Sequence, residues 1–237
     1  MVTDASPEFE KAMRQGEMKV TGRLVDASNA TLLAKITQGE FSVRCIYKPI
    51  AGERPLWDFS DGTLAFREYA AYLVSQRCGF NVVPLTVLRD GPFGEGAVQR
   101  WVDIDETIDM IEFFQRDTLE LRKMALFDAV INNTDRKIGH ILPNAAGEVF
   151  GCDHGVTFHS EDKLRTVLWR WAGEPFNEAE ISRLNSVAQY LEDPVELADL
   201  LTGEELDALA MRVDRLKSTG TFPQPSKDWP AVPWPPY

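Results

Sequence analysis

The stretch NNTDRKIGHILPNAAGEVFGCDHG, residues 132–155, decides how the whole sequence is interpreted. An acidic residue, Asp135, comes two positions before Lys137, and His140 follows just before an apolar segment. A short NAAG turn leads into a second apolar segment that ends at Asp153. Because the two strands of a hairpin lie side by side, we expect His140 and Asp153 to lie near each other. The stretch therefore predicts a polar site built around one hairpin.

Upstream of this stretch, three segments have the alternating pattern of half-buried strands. They are EMKVTGRLV at 17–25, TLLAKIT at 31–37 and FSVRCIYKP at 41–49, joined by short polar turns. The third segment brings its apolar side chains to one face, and Lys48 stands near its end. We therefore expect a meander of three antiparallel strands.

A helix is predicted to follow the meander, over residues 61–80. Apolar residues recur there at helical spacing, with Asp61 or Thr63 placed to cap the start and Gly79 to end it. Two further strands, on either side of the RDGPFGEG turn, complete a lobe of five strands and one helix.

The C-terminal half is predicted to be mostly helical. The segment TLELRKMALFDAVIN has a continuous helical pattern, and Asp117 with Glu120 resembles a capping box before it. Residues 160–218 carry further helical patterns, and the proline-rich end is typical of extended, polyproline-like chain. The predicted fold is thus α+β and two-lobed. Its parts are a flexible or helical lead-in at 1–16, a β-rich N-lobe at 17–102, a helical C-lobe at 103–220 and a tail at 221–237.

Composition restricts the functional classes. The 237 residues carry a net charge of −12, which argues against a general nucleic-acid binder because phosphate backbones require a basic face. No run of about 18 apolar residues is present, so we expect no membrane span. The N-terminal residues are unlike a signal peptide, and the three cysteines form no CxxC pair, so a reduced, cytoplasmic setting is expected.

A cleft between two such lobes would provide the parts that phosphoryl transfer requires. Lys48 is placed to neutralise phosphates, and Glu68, in the following helix, to pair with that lysine. Asp135 lies in a loop between rigid elements, where reactive groups are often found, and Lys137 follows it. Asp153 ends a strand and is suited to bind a metal ion.

The order of these parts resembles the protein-kinase-like fold, and the motifs are similar to those of phosphatidylinositol 3-/4-kinases, above all the type II phosphatidylinositol 4-kinases. YKPIAGERPL resembles their Lys-Pro segment, and FREYAAYLVSQRCGFNVVPLTVL resembles their next helix and strand. NNTDRKIGH resembles the Asp-Arg catalytic loop, and CDHG resembles the Asp-Phe-Gly metal site. The likeness covers residues 20–160 and includes a compact actinobacterial branch of these proteins.

This resemblance implies that the chain binds ATP together with Mg²⁺ or Mn²⁺. Lys48 would contact the α- and β-phosphates, Glu68 would hold it, and Asp153 would bind the metal ion. Asp135 would orient or deprotonate the acceptor hydroxyl, and Lys137 would steady the γ-phosphate. The hinge that receives adenine through backbone groups would comprise Gln99, Trp101 and Val102.

Two positions depart from the family pattern. His140 stands where the family has a metal-binding Asn, and an imidazole suits Mn²⁺ or another transition metal better than Mg²⁺. The sequence VDASNAT stands where a GxGxxG loop would be. Ser28 and Asn29 could donate hydrogen bonds to phosphates there, or could simply form a hairpin turn.

These departures leave two alternatives to a kinase. One is a nucleotide-binding pseudokinase that acts as a scaffold or sensor. The other is a metal hydrolase or oxygenase whose ligands would be His140, Asp153, His154 and His159. The second leaves Lys48 and Glu68 without a role.

The acceptor of the phosphoryl group is not specified by the sequence. A small molecule, a lipid headgroup and a protein hydroxyl all remain open. The tail contains Trp229, Trp234 and Tyr237, and it is expected either to pack against its own C-lobe or to dock a protein partner.

Overall fold

The computed structural model describes residues 7–24 and 29–237. Within those ranges the strands are β1 (Glu17–Arg23), β2 (Leu32–Gln38), β3 (Phe41–Pro49), β4 (Thr86–Gly91), β5 (Gly94–Arg100), β6 (Ile141–Pro143) and β7 (Val149–Gly151). The helices are α1 (Pro7–Gln15), α2 (Leu64–Arg77), α3 (Met110–Phe113), α4 (Leu119–Ile131), α5 (Glu178–Tyr190), α6 (Val195–Ala198) and α7 (Gly203–Thr219). No helix in these ranges is both long enough and apolar enough to cross a bilayer.

The N-lobe is built on one antiparallel sheet with the strand order β1-β2-β3-β5-β4. Alternation along β3 buries Val43, Cys45 and Tyr47 on one face, as the sequence predicted. Helix α1 covers this face, with Phe9 and Met13 buried in the same cluster. The predicted lead-in therefore contributes a helix to the core of the N-lobe.

Helix α2 packs beside β4 and β5 and has an unexpected cap. The Glu53 carboxylate accepts hydrogen bonds from two backbone N–H groups of the first turn, at 2.8 and 3.1 Å. Of the two predicted caps, Thr63 occupies the N-cap position without a side-chain hydrogen bond to the helix, and Asp61 lies outside it. The predicted end at Gly79 is correct, because this residue has a φ of +72°, which glycine adopts at low cost.

Helix α4 forms the centre of the C-lobe, and most of its side chains are buried. Its cap is Thr118, whose side chain accepts a hydrogen bond from the N–H of Leu121 at 3.3 Å. The predicted capping box is wrong because the carboxylate of Asp117 accepts a hydrogen bond from Trp171 Nε1 instead. The helix ends at Asn132, which takes a left-handed φ of +52° and redirects the chain into the stretch quoted above.

The segment between β7 and α5 is irregular, although helix was predicted from residue 160 onward. Its backbone bonds to distant residues rather than to itself. Arg165, for example, donates its N–H to Asn133 O at 2.9 Å and accepts from Arg136 N–H at 3.1 Å. These bonds hold the segment in an extended path beside the loop that follows α4.

The tail packs back on the C-lobe. Ala231 O accepts hydrogen bonds from Thr166 N–H and Trp169 Nε1, at 3.0 and 2.8 Å. Farther along, Pro236 O accepts from the N–H of Ile138 at 2.8 Å. The tail thus extends to the loop that contains Asp135. Of the two expectations for the tail, packing against its own C-lobe is the one that the structure shows.

Candidate functional site

Lys48, near the end of β3, lies between two carboxylates. Its Nζ contacts Glu68 Oε1 and lies 2.8 Å from Asp153 Oδ1. Burial alone would lower the pKa of Lys48, but the two carboxylates outweigh it and raise the pKa above its usual value. Lys48 is therefore a permanent positive charge that joins α2 of the N-lobe to the segment after β7.

Glu68 contacts both the Lys48 ammonium and the backbone of the segment after β7. Its side chain is 3% exposed, and its second oxygen accepts a hydrogen bond from the backbone N–H of His154 at 3.0 Å. Gly155 allows this approach, because a Cβ at that position would lie only 3.3 Å from Leu64 Cβ. The Glu68 carboxylate thus holds a lysine and a backbone segment at once.

Asp153 presents a carboxylate to the cleft. It has a left-handed φ of +61°, a conformation that Asp tolerates better than most residues, and its side chain is 51% exposed. The Lys48 ammonium holds the pKa of Asp153 well below its usual range. Cys152, just before it, faces the interior, where burial raises the pKa of the thiol to about 12. Asp153 is therefore an ionised carboxylate beside an unreactive thiol.

Asp135 is held in the loop after α4. Its backbone N–H donates to Asn133 Oδ1 at 3.0 Å, and its carboxylate lies 3.1 Å from Lys137 Nζ. Burial raises the pKa of Asp135, and the neighbouring Lys137 ammonium opposes that rise. An ion pair forms here between the two side chains that the sequence assigned to the transfer step.

The unprotonated ring nitrogen of His140, Nε2, faces the carboxylate of Asp153. The other ring nitrogen, Nδ1, lies 2.9 Å from the carbonyl oxygen of Asp135, and because a carbonyl can only accept, Nδ1 must carry the proton. Burial lowers the pKa of His140, which keeps the ring neutral. The unprotonated Nε2 then lies 3.5 Å from Asp153 Oδ2, as the predicted hairpin geometry requires. Two electron-pair donors that face each other at this distance form a place for a cation.

These donors fit a metal ion that takes its remaining ligands from elsewhere. Among residues 7–24 and 29–237, no three His, Cys, Asp or Glu side chains converge on one point. Mg²⁺ and Mn²⁺ in phosphoryl transfer are bound by one or two protein groups together with phosphates and water. A Mg²⁺ or Mn²⁺ ion would be held here by Asp153 and His140, with an imidazole favouring Mn²⁺.

The four-ligand centre of a metal hydrolase or oxygenase does not fit the structure. The Nε2 atom of His154 lies 2.7 Å from a guanidinium nitrogen of Arg136, inside the C-lobe. His159 lies beside Lys163, with Nε2 and Nζ 3.2 Å apart. Both rings are engaged away from the pair formed by His140 and Asp153.

An ion pair that the sequence analysis missed supports the loop. Asp128, within α4, is fully buried and binds the guanidinium of Arg136 through both carboxylate oxygens at 2.8–3.1 Å. The same carboxylate accepts from the side-chain amide of Asn133, and Arg136 donates to Cys152 O at 3.1 Å. The loop with Asp135 and the strand end with Asp153 are thereby fixed to one another. The signal for this arrangement was a single acidic residue within the apolar run MALFDAVI.

The other predicted nucleotide-binding residues, Ser28, Asn29 and Gln99, do not all lie at the cleft. Asn29 lines the cleft, and its Oδ1 accepts a hydrogen bond from the backbone N–H of Arg54 at 2.9 Å. Ser28 lies outside the described residues. The side chain of Gln99 is buried and donates to Thr86 Oγ1, so Gln99 points away from the cleft.

The three predicted hinge residues differ in the hydrogen bonds of their backbone groups. Gln99 pairs within the sheet on both sides, with β3 and with β4, and the N–H of Trp101 donates to Arg44 O at 3.0 Å. Val102 follows the sheet and forms no backbone hydrogen bond with the rest of the described chain. Of the three predicted hinge residues, Val102 is thus the one whose N–H and carbonyl both lack a backbone partner in the described chain, and its contact with adenine stays a prediction.

One cavity of about 470 Å³ joins these groups. Lys48, Glu68, Asp135 and Asp153 all line it, together with Asn29. Lys137 and His140 adjoin it through their contacts with Asp135 and Asp153. Residues from both lobes and from five separate parts of the sequence thus meet around one space.

Comparison with known proteins supports the fold. No model of a known protein family matches the chain. Protein Rv2133c of Mycobacterium tuberculosis (strain ATCC 25618 / H37Rv) is 41% identical over 260 residues, which cover 94% of this chain and 93% of that protein. The crystal structure of the Helicobacter pylori proinflammatory kinase CtkA aligns with a TM-score of 0.50 and 11% identity, over 89% of this chain and 94% of that one. The predicted α+β, kinase-like fold is confirmed, whereas the finer resemblance to type II phosphatidylinositol 4-kinases stays a prediction.

Proposed function

This chain belongs to the same protein family as Rv2133c of Mycobacterium tuberculosis, and we propose that it is an ATP-dependent phosphotransferase. The observation that supports this most strongly is the cavity between the lobes, where Lys48 lies 2.8 Å from Asp153 and in contact with Glu68 while Asp135 lines the same space. These are the charges that ATP-dependent phosphoryl transfer requires, in one place.

The phosphates of ATP would lie against Lys48 and Asp153. Lys48 would give up its contact with Asp153 for the α- and β-phosphate oxygens, and Glu68 would keep the ammonium in position. A divalent ion bound by Asp153 and His140 would neutralise the charge that develops on the transferred group. The adenine would be received by the backbone of Val102 at the end of the sheet.

Asp135 would act on the acceptor. Its carboxylate would accept the proton of the attacking hydroxyl as the new O–P bond forms and the bond between the γ-phosphorus and ADP breaks. Lys137, 3.1 Å from that carboxylate, would shift toward the departing phosphoryl group. The acceptor would be a hydroxyl of a small molecule, a lipid headgroup or a protein.

A nucleotide-binding pseudokinase is the second candidate. His140 favours it, because phosphatidylinositol 3-/4-kinases have a metal-binding Asn at the corresponding position. The bare Nε2 of His140 opposes it, because this atom can replace an amide oxygen as a metal ligand. The two candidates differ in whether the bound ATP is turned over.

The test combines binding with turnover. Thermal unfolding is measured with ATP, ADP, GTP and no nucleotide, each with Mg²⁺ or Mn²⁺, because a ligand that binds the native state raises its melting temperature. ADP release and autophosphorylation are then followed in the wild type, in Asp135→Asn and in Asp214→Asn, an exposed control on α7. A phosphotransferase loses turnover only in Asp135→Asn. Stabilisation by ATP without any turnover identifies the pseudokinase, and the absence of both rejects each candidate.

A further inference from the structure

The cavity has a part that the nucleotide does not account for. The phosphates of ATP would lie at Lys48 and Asp153, which line one part of it. The cavity is also lined by Trp57, from the loop between β3 and α2, by Trp229, from the tail, and by Arg165. The Lys163 ammonium lies near both indole rings, so Trp57 and Trp229 share one part of the wall. Because the backbone of Arg165 is bonded to the loop that carries Asp135, we assign this part of the cavity to the acceptor.

Arg165 is fixed beside Asp135 by its backbone. Its N–H donates to Asn133 O and its carbonyl accepts from Arg136 N–H, so its two hydrogen bonds reach the residues on either side of Asp135 in the loop. The guanidinium forms no hydrogen bond or ion pair with the rest of the described chain, and its Nε is buried without a partner. By contrast, the two buried arginines in the described part of the C-lobe are both paired, Arg136 with Asp128 and Arg212 with Asp162.

Trp229 provides a second donor without a partner. Its Nε1 is buried and forms no hydrogen bond within the described residues. The indole is held in place by the Lys163 ammonium, 5.3 Å from the ring centroid, and the chain nearby is held by the two hydrogen bonds to Ala231 O. The same ammonium lies 4.8 Å from the ring of Trp57 and 3.3 Å from Asp58 Oδ2. Trp229 is thus fixed at the cavity wall with a free N–H.

A buried donor that lacks an acceptor is destabilising, so two such donors in residues that line one cavity call for a ligand that supplies acceptors. An arginine and an indole N–H on the wall of the same cavity suit a carboxylate or a phosphate, which offers several acceptor oxygens and a negative charge. We propose that Arg165 and Trp229 form an anion subsite for the acceptor, which is a small hydroxyl compound carrying a phosphate or carboxylate group. This inference rests on the proposed phosphotransferase function, because the acceptor hydroxyl must reach Asp135 while its acidic group is bound by Arg165.

The subsite is tested by NMR on protein labelled with ¹⁵N-tryptophan, saturated with a non-hydrolysable ATP analogue and Mg²⁺. The indole signal of Trp229 is identified among the six tryptophans from its loss in Trp229→Phe, a change that keeps the aromatic ring on Lys163. Inorganic phosphate and glycerol 3-phosphate are then titrated into the wild type, Arg165→Gln and Arg170→Gln. Arg170 is the matched control, because it lies five residues away on the surface and is not part of the cavity.

We expect a saturable shift of the Trp229 signal in the wild type and in Arg170→Gln, with an affinity reduced about tenfold or more in Arg165→Gln. An unchanged Trp229 signal, or equal affinity in Arg165→Gln, would overturn the proposal. If Arg165→Gln weakens the ATP analogue as much as it weakens phosphate, the guanidinium belongs to the nucleotide site and the proposal also fails.

Two further measurements distinguish a lipid headgroup from a soluble anion, and the subsite from the proposed function. Cosedimentation with vesicles of phosphatidylcholine and phosphatidylglycerol, lost in Arg165→Gln, assigns the anion to a lipid headgroup, whereas a response to glycerol 3-phosphate without cosedimentation assigns it to a soluble compound. Both results support the subsite. A phosphate-dependent shift of Trp229 in a protein that binds no ATP analogue would retain the subsite and reject the proposed function.

Discussion

Lys48 on β3 and Asp153 after β7 form an ion pair across the two lobes, with the ammonium nitrogen and the carboxylate oxygen 2.8 Å apart. Glu68 contacts the same ammonium from α2. The lysine is therefore held by two carboxylates before any nucleotide arrives. Binding of phosphates would replace one of these contacts, and variants of the residues that form them test their roles.

Replacement of Lys48 by Met should weaken ATP binding and reduce turnover by on the order of 10²–10³, the loss that follows removal of one well-placed donor from a reacting centre. Lys35→Met is the control, because Lys35 is exposed on β2 of the same sheet. Calorimetric titration with ATP and a coupled ADP assay measure both quantities. Equal behaviour of the two variants would contradict the role of Lys48.

Replacement of Asp128 by Asn should lower the free energy of unfolding by about 3–5 kcal/mol, because it leaves the buried Arg136 guanidinium without its charged partner. Asp103→Asn breaks an exposed pair with Arg44 and should cost no more than about 1 kcal/mol. Urea unfolding of the three proteins provides the values. Similar losses in the two variants would show that the buried pair does not hold the loop.

Replacement of His140 by Asn should introduce the side chain that phosphatidylinositol 3-/4-kinases have at the corresponding position, and should improve the use of Mg²⁺. The ratio of turnover with Mn²⁺ to turnover with Mg²⁺ is expected to fall by roughly an order of magnitude, since an amide oxygen prefers the harder ion. His159→Asn, which changes a histidine beside Lys163, should leave the ratio unchanged. A ratio that responds equally to both changes would argue against His140 as a metal ligand.

The contribution of the ion pair between Lys48 and Asp153 to the free energy of unfolding should depend on pH. Lys48 lowers the pKa of Asp153 in the folded protein, so the stabilisation is complete above the unfolded pKa of about 3.9 and is lost as the pH falls through the lower, folded value. The difference in unfolding free energy between the wild type and Asp153→Asn should be constant near neutral pH and shrink below that unfolded pKa. Urea unfolding across this pH range checks the sign, and a difference that grows on acidification would refute it.

The sequence predicted those parts of the fold and site that depend on local pattern. Alternation along β3 placed Lys48 at the cleft, and the hairpin brought His140 to Asp153. Lys48 and Glu68, twenty residues apart, were paired by the order of a strand and a helix. Each of these relationships follows from the geometry of one element or of two neighbouring elements.

The parts that the sequence did not predict depend on contacts between distant segments. Glu53 caps α2 from outside the helix, so the local search for a cap favoured Asp61 or Thr63. The segment around Arg165 carries a helical pattern, but hydrogen bonds to the loop after α4 outweigh that propensity. Trp229 reaches the cavity only because the tail packs back on the C-lobe.

The central claim is that ATP phosphates bind between the lobes, and affinity labelling tests it most directly. An acyl-phosphate derivative of ATP transfers its acyl group to a lysine beside the bound phosphates, and mass spectrometry identifies the modified residue. We predict acylation of Lys48 or Lys137, abolished by an excess of ATP with Mg²⁺ or Mn²⁺. Labelling confined to lysines outside the cleft, such as Lys35 or Lys227, or labelling that ATP does not prevent, would contradict the account.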